Sequence, residues 1–389
     1  MKITRLLTST FVLLLFAALG FAQNPTQTIR GIVVDQQSEV PLIGVPVELL
    51  DATTATGTVT EPDGSFAVEN VPVGRQALRF SYIGYEGVTI PNVVVTAGKE
   101  VYLEVKMAES VTQRNEVVVT AQVDKDKAGN ELATVSARQF SLEEVTRYSG
   151  ARNDASRMAA NFAGVNISDD SRNDIVVRGN SPTGLLWRIE GVAIPNPNHY
   201  STLGSTGGPV SALNTNLLKN SDFLTSAFPS EYGNALSGVF DIQLRSGNKE
   251  NHEYTAQLAM FSGLEAMAEG PINREKGSSY LVSYRHSFAE LATEAGMNIG
   301  TTATPKYKDL SFKVDLPKTK LGNFSLFGIG GLSTIDFIGS DLSEEDFYGE
   351  TDQNSYVTSQ VGIFGLNHRL LQNETTYLRT TIAASNTGN

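Results

Sequence analysis

Asp309-Leu310-Ser311-Phe312-Lys313-Val314-Asp315-Leu316 alternates without a break: the even positions are apolar and the odd positions are polar or charged. Successive side chains of an extended strand point to opposite faces, so this stretch is expected to have one apolar and one charged face. Two folds use such a strand. A soluble sandwich buries the apolar face, whereas a membrane barrel turns it to lipid and the polar face to the lumen. The pattern recurs nearby. Tyr280, Val282 and Tyr284 oppose Ser279, Ser283 and Arg285, and Leu378, Ile382 and Ala384 oppose Tyr377, Arg379 and Thr381. Seven strands are expected, at residues 253–261, 263–272, 278–288, 307–316, 323–335, 355–370 and 375–385. Loop lengths discriminate between the two folds. The connections at 273–277, 317–322 and 371–374 are short and fall on one side, and those at 290–306 and 336–354 are long and fall on the other. Short inner turns and long outer loops are the outer-membrane pattern.

Upstream, residues 132–248 have a mixed α/β character. Ser141-Leu142-Glu143-Glu144-Val145 has a serine cap and first-turn carboxylates, which predicts a helix start. A second helical stretch is expected at 154–162, ending at Gly164. Residues 174–177 then read as a strand entering a turn at Arg178-Gly179, and 185–192 as a strand with a tight turn at Glu190-Gly191. Tyr232-Gly233 and Gly238-Val239 punctuate a turn that leads into a strand ending at Ile242.

In this order and spacing, the motifs resemble the plug domain of TonB-dependent outer-membrane receptors. The family's Arg-Gly falls on Arg178-Gly179, its Asp-Gly-Val hairpin on Glu190-Gly191-Val192, and its closing motif on Tyr232, Gly233, Gly238, Val239 and Ile242. Glu190 in place of Asp departs from the pattern. A plugged lumen goes with about 22 strands, so seven strands predict a partial barrel and a C-terminally truncated chain.

Ahead of the plug, Asn115-Glu116-Val117-Val118-Val119-Thr120-Ala121 is strongly strand-forming through three consecutive valines, and it lies between two polar spacers. A strand without a partner exposes unpaired N–H and C=O groups that a second protein can add to its own sheet edge. By resemblance this is the TonB box, with Glu116, Val117, Val118, Val119 and Thr120 as the TonB-binding residues.

Residues 28–108 hold seven candidate strands with turn chemistry between them, including Glu61-Pro62-Asp63-Gly64, where proline fixes φ and glycine is free to take positive φ. This predicts a small β-sandwich. Gly31-x-Val33, Pro41-Leu42-x-Gly44-Val45, Val71-Pro72-x-Gly74 and Phe80-Ser81-Tyr82-Ile83-Gly84-Tyr85 resemble the carboxypeptidase regulatory-like domain, a transthyretin-like sandwich. A sandwich ahead of a box and plug is similar to receptors of the Bacteroidetes type. The N-terminus reads as a cleaved signal peptide: Lys2 and Arg5, an apolar run from Leu6 to Leu19, then Gly20-Phe21-Ala22.

The expected fold class is thus multi-domain and mainly β. Its parts are a signal peptide at 1–22, the carboxypeptidase regulatory-like sandwich at 23–110, a linker with the TonB box at 111–130, an α/β plug at 131–248, and the N-terminal part of a transmembrane antiparallel β-barrel at 249–389.

Composition narrows the function. Lys and Arg total 30 against 42 Asp and Glu, a formal charge of −12, which argues against nucleic-acid binding. No cysteine is present, which excludes disulfides, thiolate metal sites and a cysteine nucleophile. The four histidines are scattered, and His252-Glu253 is followed by Ala256 where a zinc-protease helix needs its second histidine. Nucleophile-elbow and phosphate-loop motifs do not occur, so no enzyme, cofactor or metal is expected.

The resemblance implies a receptor in the outer membrane, bounded by its lipid, that actively transports a scarce ligand such as an iron chelate, a cobalamin-like cofactor, an oligosaccharide or a peptide. TonB with its ExbB-ExbD motor supplies the work. Weak ligand-contact candidates are His199 and Tyr200, and Asp336 to Asp352 is an acidic loop. Residues 122–130 lack the glycine-tyrosine-glycine and Leu-Thr-Gly features of starch-utilisation importers, which speaks against a surface lipoprotein partner. The alternative reading is an exported, non-catalytic adhesion or scaffold protein that binds partners through its sandwich.

Overall fold

A computed structural model describes residues 25–389 except 39, 51–56, 98–99, 111–135, 141–144, 146–147, 168–171, 202–204, 260–262, 289, 291–295, 297–304, 338–353 and 374–375. The chain is multi-domain and mainly β, and it divides into two compact units, Met1–Val123 and Asp124–Asn389. The expected signal peptide, the TonB box and nearly all of the acidic loop lie outside the described residues.

In the first unit, seven strands form two sheets: β1 (Thr26–Asp35), β2 (Pro46–Leu49), β3 (Gly57–Val59), β4 (Ser65–Pro72), β5 (Gly74–Phe80), β6 (Val88–Val95) and β7 (Val101–Met107). One sheet has the order β4-β1-β7 and the other β3-β2-β5-β6. Alternating positions such as Val47 and Leu49, Leu78 and Phe80, and Val105 and Met107 are buried in a single core, where Phe66 meets Phe80 edge-on at 5.4 Å. The first strand pairs in parallel with the last, Gly31 opposite Leu103. Only glycine fits there, since a Cβ on Gly31 would sit 1.8 Å from the Leu103 carbonyl oxygen.

The second unit begins with short elements: β8 (Ala137–Phe140), α1 (Ala155–Ala159), β9 (Val165–Ile167), β10 (Ile175–Val177), β11 (Leu185–Ile189), β12 (Val192–Ile194), β13 (Asn198–His199), β14 (Val210–Ser211), β15 (Ser221–Leu224) and β16 (Gly238–Ile242). Asp154 caps α1, accepting from the Ser156 and Arg157 amides. The expected helix from Ser141 lies largely outside the described residues, with Val145 helical and buried. Five strands make a mixed sheet, β12-β11-β16-β15-β8, in which β11 and β16 run parallel. Its core stacks Trp187 on Phe240 at 4.4 Å, with Phe223 also 4.4 Å from Phe240.

A seven-stranded antiparallel sheet follows in simple sequential order: β17 (Glu253–Ala259), β18 (Gly263–Asn273), β19 (Ser278–His286), β20 (Lys306–Thr319), β21 (Gly322–Phe337), β22 (Ser355–Asn373) and β23 (Thr376–Gly388). All seven expected strands are present. Burial along them is inverted relative to a soluble sheet. Asp309, Ser311 and Lys313 are buried while Leu310 is 47% and Leu316 38% exposed. Likewise Glu265 and Glu269 are buried beside exposed Leu264, and Arg285 beside exposed Tyr284. The polar face of this sheet is the one packed on the mixed-sheet domain, together with a set of inward apolar residues. Met267, Leu281, Phe327, Ile329 and Ile363 share one hydrophobic core with Trp187 and Phe240. Among the described residues no helix is long and apolar enough to cross a membrane, a test that does not address strands.

Candidate functional site: a buried polar seam

Backbone conformation sets up the seam. Arg178 and Glu190 both take left-handed φ, near 51°, each followed by a glycine with positive φ. Glu190-Gly191 closes the β11–β12 hairpin, and Arg178-Gly179 turns the chain so that the Asn180 amide donates to the Val177 carbonyl. Arg178 donates to the hydroxyls of Ser136 and Thr225, both at 3.2 Å. Glu190 reaches the large sheet. Its Oε1 accepts from Lys313 Nζ at 3.0 Å and from the Leu244 amide at 2.7 Å, and its Oε2 accepts from Asn367 Nδ2 at 3.3 Å. Lys313 also donates to the Leu244 carbonyl at 2.8 Å. A glutamate is one methylene longer than the aspartate of the motif it resembles, and its carboxylate spans to β20 and β22 of the large sheet.

Four further ties run along the same interface. Arg245 grips Glu269 with both ends of its fork, at 2.6 and 2.7 Å, and the Asn248 amide donates to the same carboxylate. Asn214 and Asn216 donate to Glu265 at 2.7 and 2.9 Å, and Asn214 also donates to the Ser283 hydroxyl. Toward the ends of the strands joined by the long connections, Arg285 holds Asp309 through Nε and Nη2 at 2.9 and 2.8 Å, and donates to the Ser211 carbonyl. His199 Nε2 lies 2.9 Å from the same carboxylate. The carboxylate can only accept, so the imidazole proton sits on Nε2. Burial holds His199 below the ordinary imidazole range, with the Arg285 charge acting in the same direction and Asp309 opposing. The Tyr200 amide donates to the Ser333 and Ser359 hydroxyls at 3.1 and 2.9 Å.

The expected residues divide accordingly. Glu190 and Gly191 lie at the seam, and His199 and Tyr200 are buried against wall strands, 1% and 7% exposed. Tyr232, Gly233 and Gly238 serve the mixed sheet itself. The Tyr232 hydroxyl donates to Asp241 at 2.8 Å, its ring lies 4.9 Å beneath the Arg188 guanidinium, and Gly238 is crowded by Leu185 and Val177. Burial raises the Asp241 carboxyl above its ordinary value, with the Tyr232 hydrogen bond opposing. Glu116 to Thr120 fall outside the described residues. Lys313, Arg285 and Asp309 were legible as polar positions of alternating strands. The partners of Glu265 and Glu269, which are Asn214, Asn216 and Arg245, carry no local signal, because what singles them out is an approach to strands farther along the chain. Among the described residues no group of three or more His, Asp or Glu is placed to hold a metal ion. Such a seam docks one layer onto another. Breaking a buried pair by removing one partner costs about 3–5 kcal/mol, while replacing the pair outright costs little.

Residues 28–108 match the carboxypeptidase regulatory-like domain. A comparison with curated proteins found no match. Among solved structures, the siderophore receptor PirA of Acinetobacter baumannii is similar, with 16% identity over 65% of this chain and 40% of that one and a TM-score of 0.47. A mutant ferric enterobactin receptor, PfeA, of Pseudomonas aeruginosa gives 16% identity over 70% and 42% at a TM-score of 0.45. The outer membrane transporter YddB of Escherichia coli gives 14% over 64% and 38% at 0.43. The chain spans about two fifths of the length of these structures. It is thus a multi-domain, mainly β chain whose residues 28–108 match the carboxypeptidase regulatory-like domain.

Proposed function

We propose that this chain forms part of a TonB-dependent receptor that imports a scarce ligand across the outer membrane. The carrying observation is the inverted burial of the large sheet. A sheet that exposes Leu310, Leu332 and Phe364 while burying Glu265, Arg285, Asp309 and Lys313 suits a solvent that is apolar outside and a polar plug inside. On this reading the mixed-sheet domain is the plug, the seam is its docking to the barrel wall, and the sandwich precedes the box in the chain. Ligand binding shifts the plug's population toward a state that presents Glu116 to Thr120. TonB adds this strand to its own sheet through main-chain hydrogen bonds and pulls, with ExbB-ExbD supplying the work.

The test begins with location. Outer membranes of the source cells, probed with antibody to residues 28–108, are expected to hold a band that shifts in mobility on boiling. A soluble band that ignores boiling supports an exported adhesion or scaffold protein instead. The second test is Val118→Pro, which removes a ladder donor. Location should be unchanged and import lost; native-rate import in this variant sinks the mechanism.

A further inference from the structure

The outward face of the large sheet has a notch in it. Register places Tyr284, Leu310, Gly330, Gly362 and Asn386 in one row across β19 to β23. Two neighbours in that row have no side chain, and nothing fills their places. A Cβ on Gly330 would meet no atom within 4 Å, and one on Gly362 only the Asn386 carbonyl oxygen at 3.9 Å. Other glycines of the sheet have that place filled, Gly328 on the same face and Gly331 and Gly365 on the opposite, inward face. The Phe312 ring covers the site of a Gly328 Cβ, Phe327 fills that of Gly365, and His199 that of Gly331. The open pair therefore forms a groove one residue-row wide, about 7 Å from each flanking row. Its cavity is about 390 Å³, with Leu310 and Leu332 in the walls.

The surroundings define an occupant. One flank is the aromatic ridge of Phe312 and Phe364, whose rings lie 6.4 Å apart. The other flank is the row His286, Lys308, Leu332, Gln360 and Gly388, in which no carboxylate occurs. His286 is engaged with the Glu290 carboxylate at 2.9 Å, and exposed Lys308 is the lysine of this row, next to Leu310 of the notch by the two-residue repeat of β20. This rim lies toward the ends of the strands joined by the long connections, residues 287–305 and 338–354, which is the outer-leaflet side under the receptor reading. An apolar slot with a cation one row above it, on a face that meets lipid, matches an acyl chain below an anionic headgroup.

We infer that the Gly330–Gly362 notch seats one acyl chain of an outer-leaflet lipid whose phosphate headgroup is net anionic, with that phosphate on Lys308. The inference rests on the barrel reading, and the experiment separates the two. The receptor is purified from outer membranes in mild detergent, stripped of lipid, and titrated with phosphatidylglycerol or phosphatidylcholine of identical chains, with bound lipid counted by native mass spectrometry. Wild type should retain one phosphatidylglycerol about fivefold more tightly than phosphatidylcholine, the factor expected of one lysine near an anionic lipid surface. Lys308→Gln should abolish that preference, and Lys308→Arg should restore it. Gly330→Leu should fill the slot and release both lipids, with boil-dependent mobility as the control for folding. A heat-modifiable wild type that binds no lipid stoichiometrically, a Gly330→Leu variant that binds like wild type, or a dimer mass in place of a lipid adduct overturns the notch proposal alone. A chain absent from the membrane overturns the barrel reading as well.

Discussion

Lys313→Met should loosen the mixed-sheet domain from the large sheet, and the structure states by how much. Lys313 is 7% exposed and Glu190 9%, so the substitution strands a carboxylate that water reaches poorly. Glu190 keeps the Leu244 amide and Asn367, which places the loss at the lower end of the range for a broken buried pair, about 3 kcal/mol. Glu190→Gln in the same chain removes the stranded charge, so the double variant should recover most of the loss, with a coupling of about 2 kcal/mol. The assay is built in. Trp187 is the sole tryptophan, 1% exposed and stacked on Phe240 inside the mixed-sheet core. Urea titration followed by its fluorescence reports this domain and not the sandwich. With a slope of about 1.5 kcal/mol per molar, Lys313→Met should lower the midpoint by about 2 M and the double variant by less than about 1 M. If the single and double variants lose stability additively, or Lys313→Met shifts the midpoint by less than about 0.3 M, the seam does not hold the domain.

Phe240→Ala removes the ring that Trp187, Phe223 and Phe140 all touch, and should cost about 3–5 kcal/mol in the same titration. His199 should make the domain less stable as pH falls. Burial depresses its folded pKa below the unfolded value near 6.5, so the unfolded chain takes up the proton first, and stability drops from pH 6.5 downward. His199→Gln should flatten that slope between pH 7 and 5. Gly31→Ala should unfold the sandwich, since its Cβ collides with the Leu103 carbonyl, while leaving the Trp187 transition in place; loss of circular dichroism from an isolated 25–110 fragment checks it. Leu310→Arg places a charge on the outward face and should cost up to about 2–4 kcal/mol in lipid, with folding yield into vesicles as the measure. An unchanged yield would argue that Leu310 does not face hydrocarbon.

Strand positions in the large sheet were legible because period two is written into the chain wherever one face is polar. Asp309 to Leu316 carries the period unbroken, and β20 extends past it only because the hairpin at Lys320–Leu321 continues the ladder to Thr319 and Gly322. Leu281, between Tyr280 and Val282, breaks the alternation, and so do Phe327, Ile329 and Ile363 on the inward face. Their side chains pack into the Trp187 core, a contact that depends on residues far earlier in the chain and leaves no local mark. The parallel pairing of β1 with β7 was equally silent, since each strand's own pattern is satisfied by either direction.

Glu190 shows how the two kinds of information meet. Against the family's motif it stands as a departure from Asp, and nothing nearby explains the extra methylene. In the fold it occupies the left-handed corner of the β11–β12 turn, where a non-glycine residue is held only at some cost in strain. That cost has a return. The corner throws the carboxylate outward, and its reach lets one side chain accept from its own domain at Leu244 and from two wall strands at Lys313 and Asn367. An aspartate at the same φ would have to choose between them. Glu190→Asp is therefore expected to keep the hairpin and lose the wall, lowering the Trp187 urea midpoint about as far as Lys313→Met does, whereas a turn-only role predicts no shift at all.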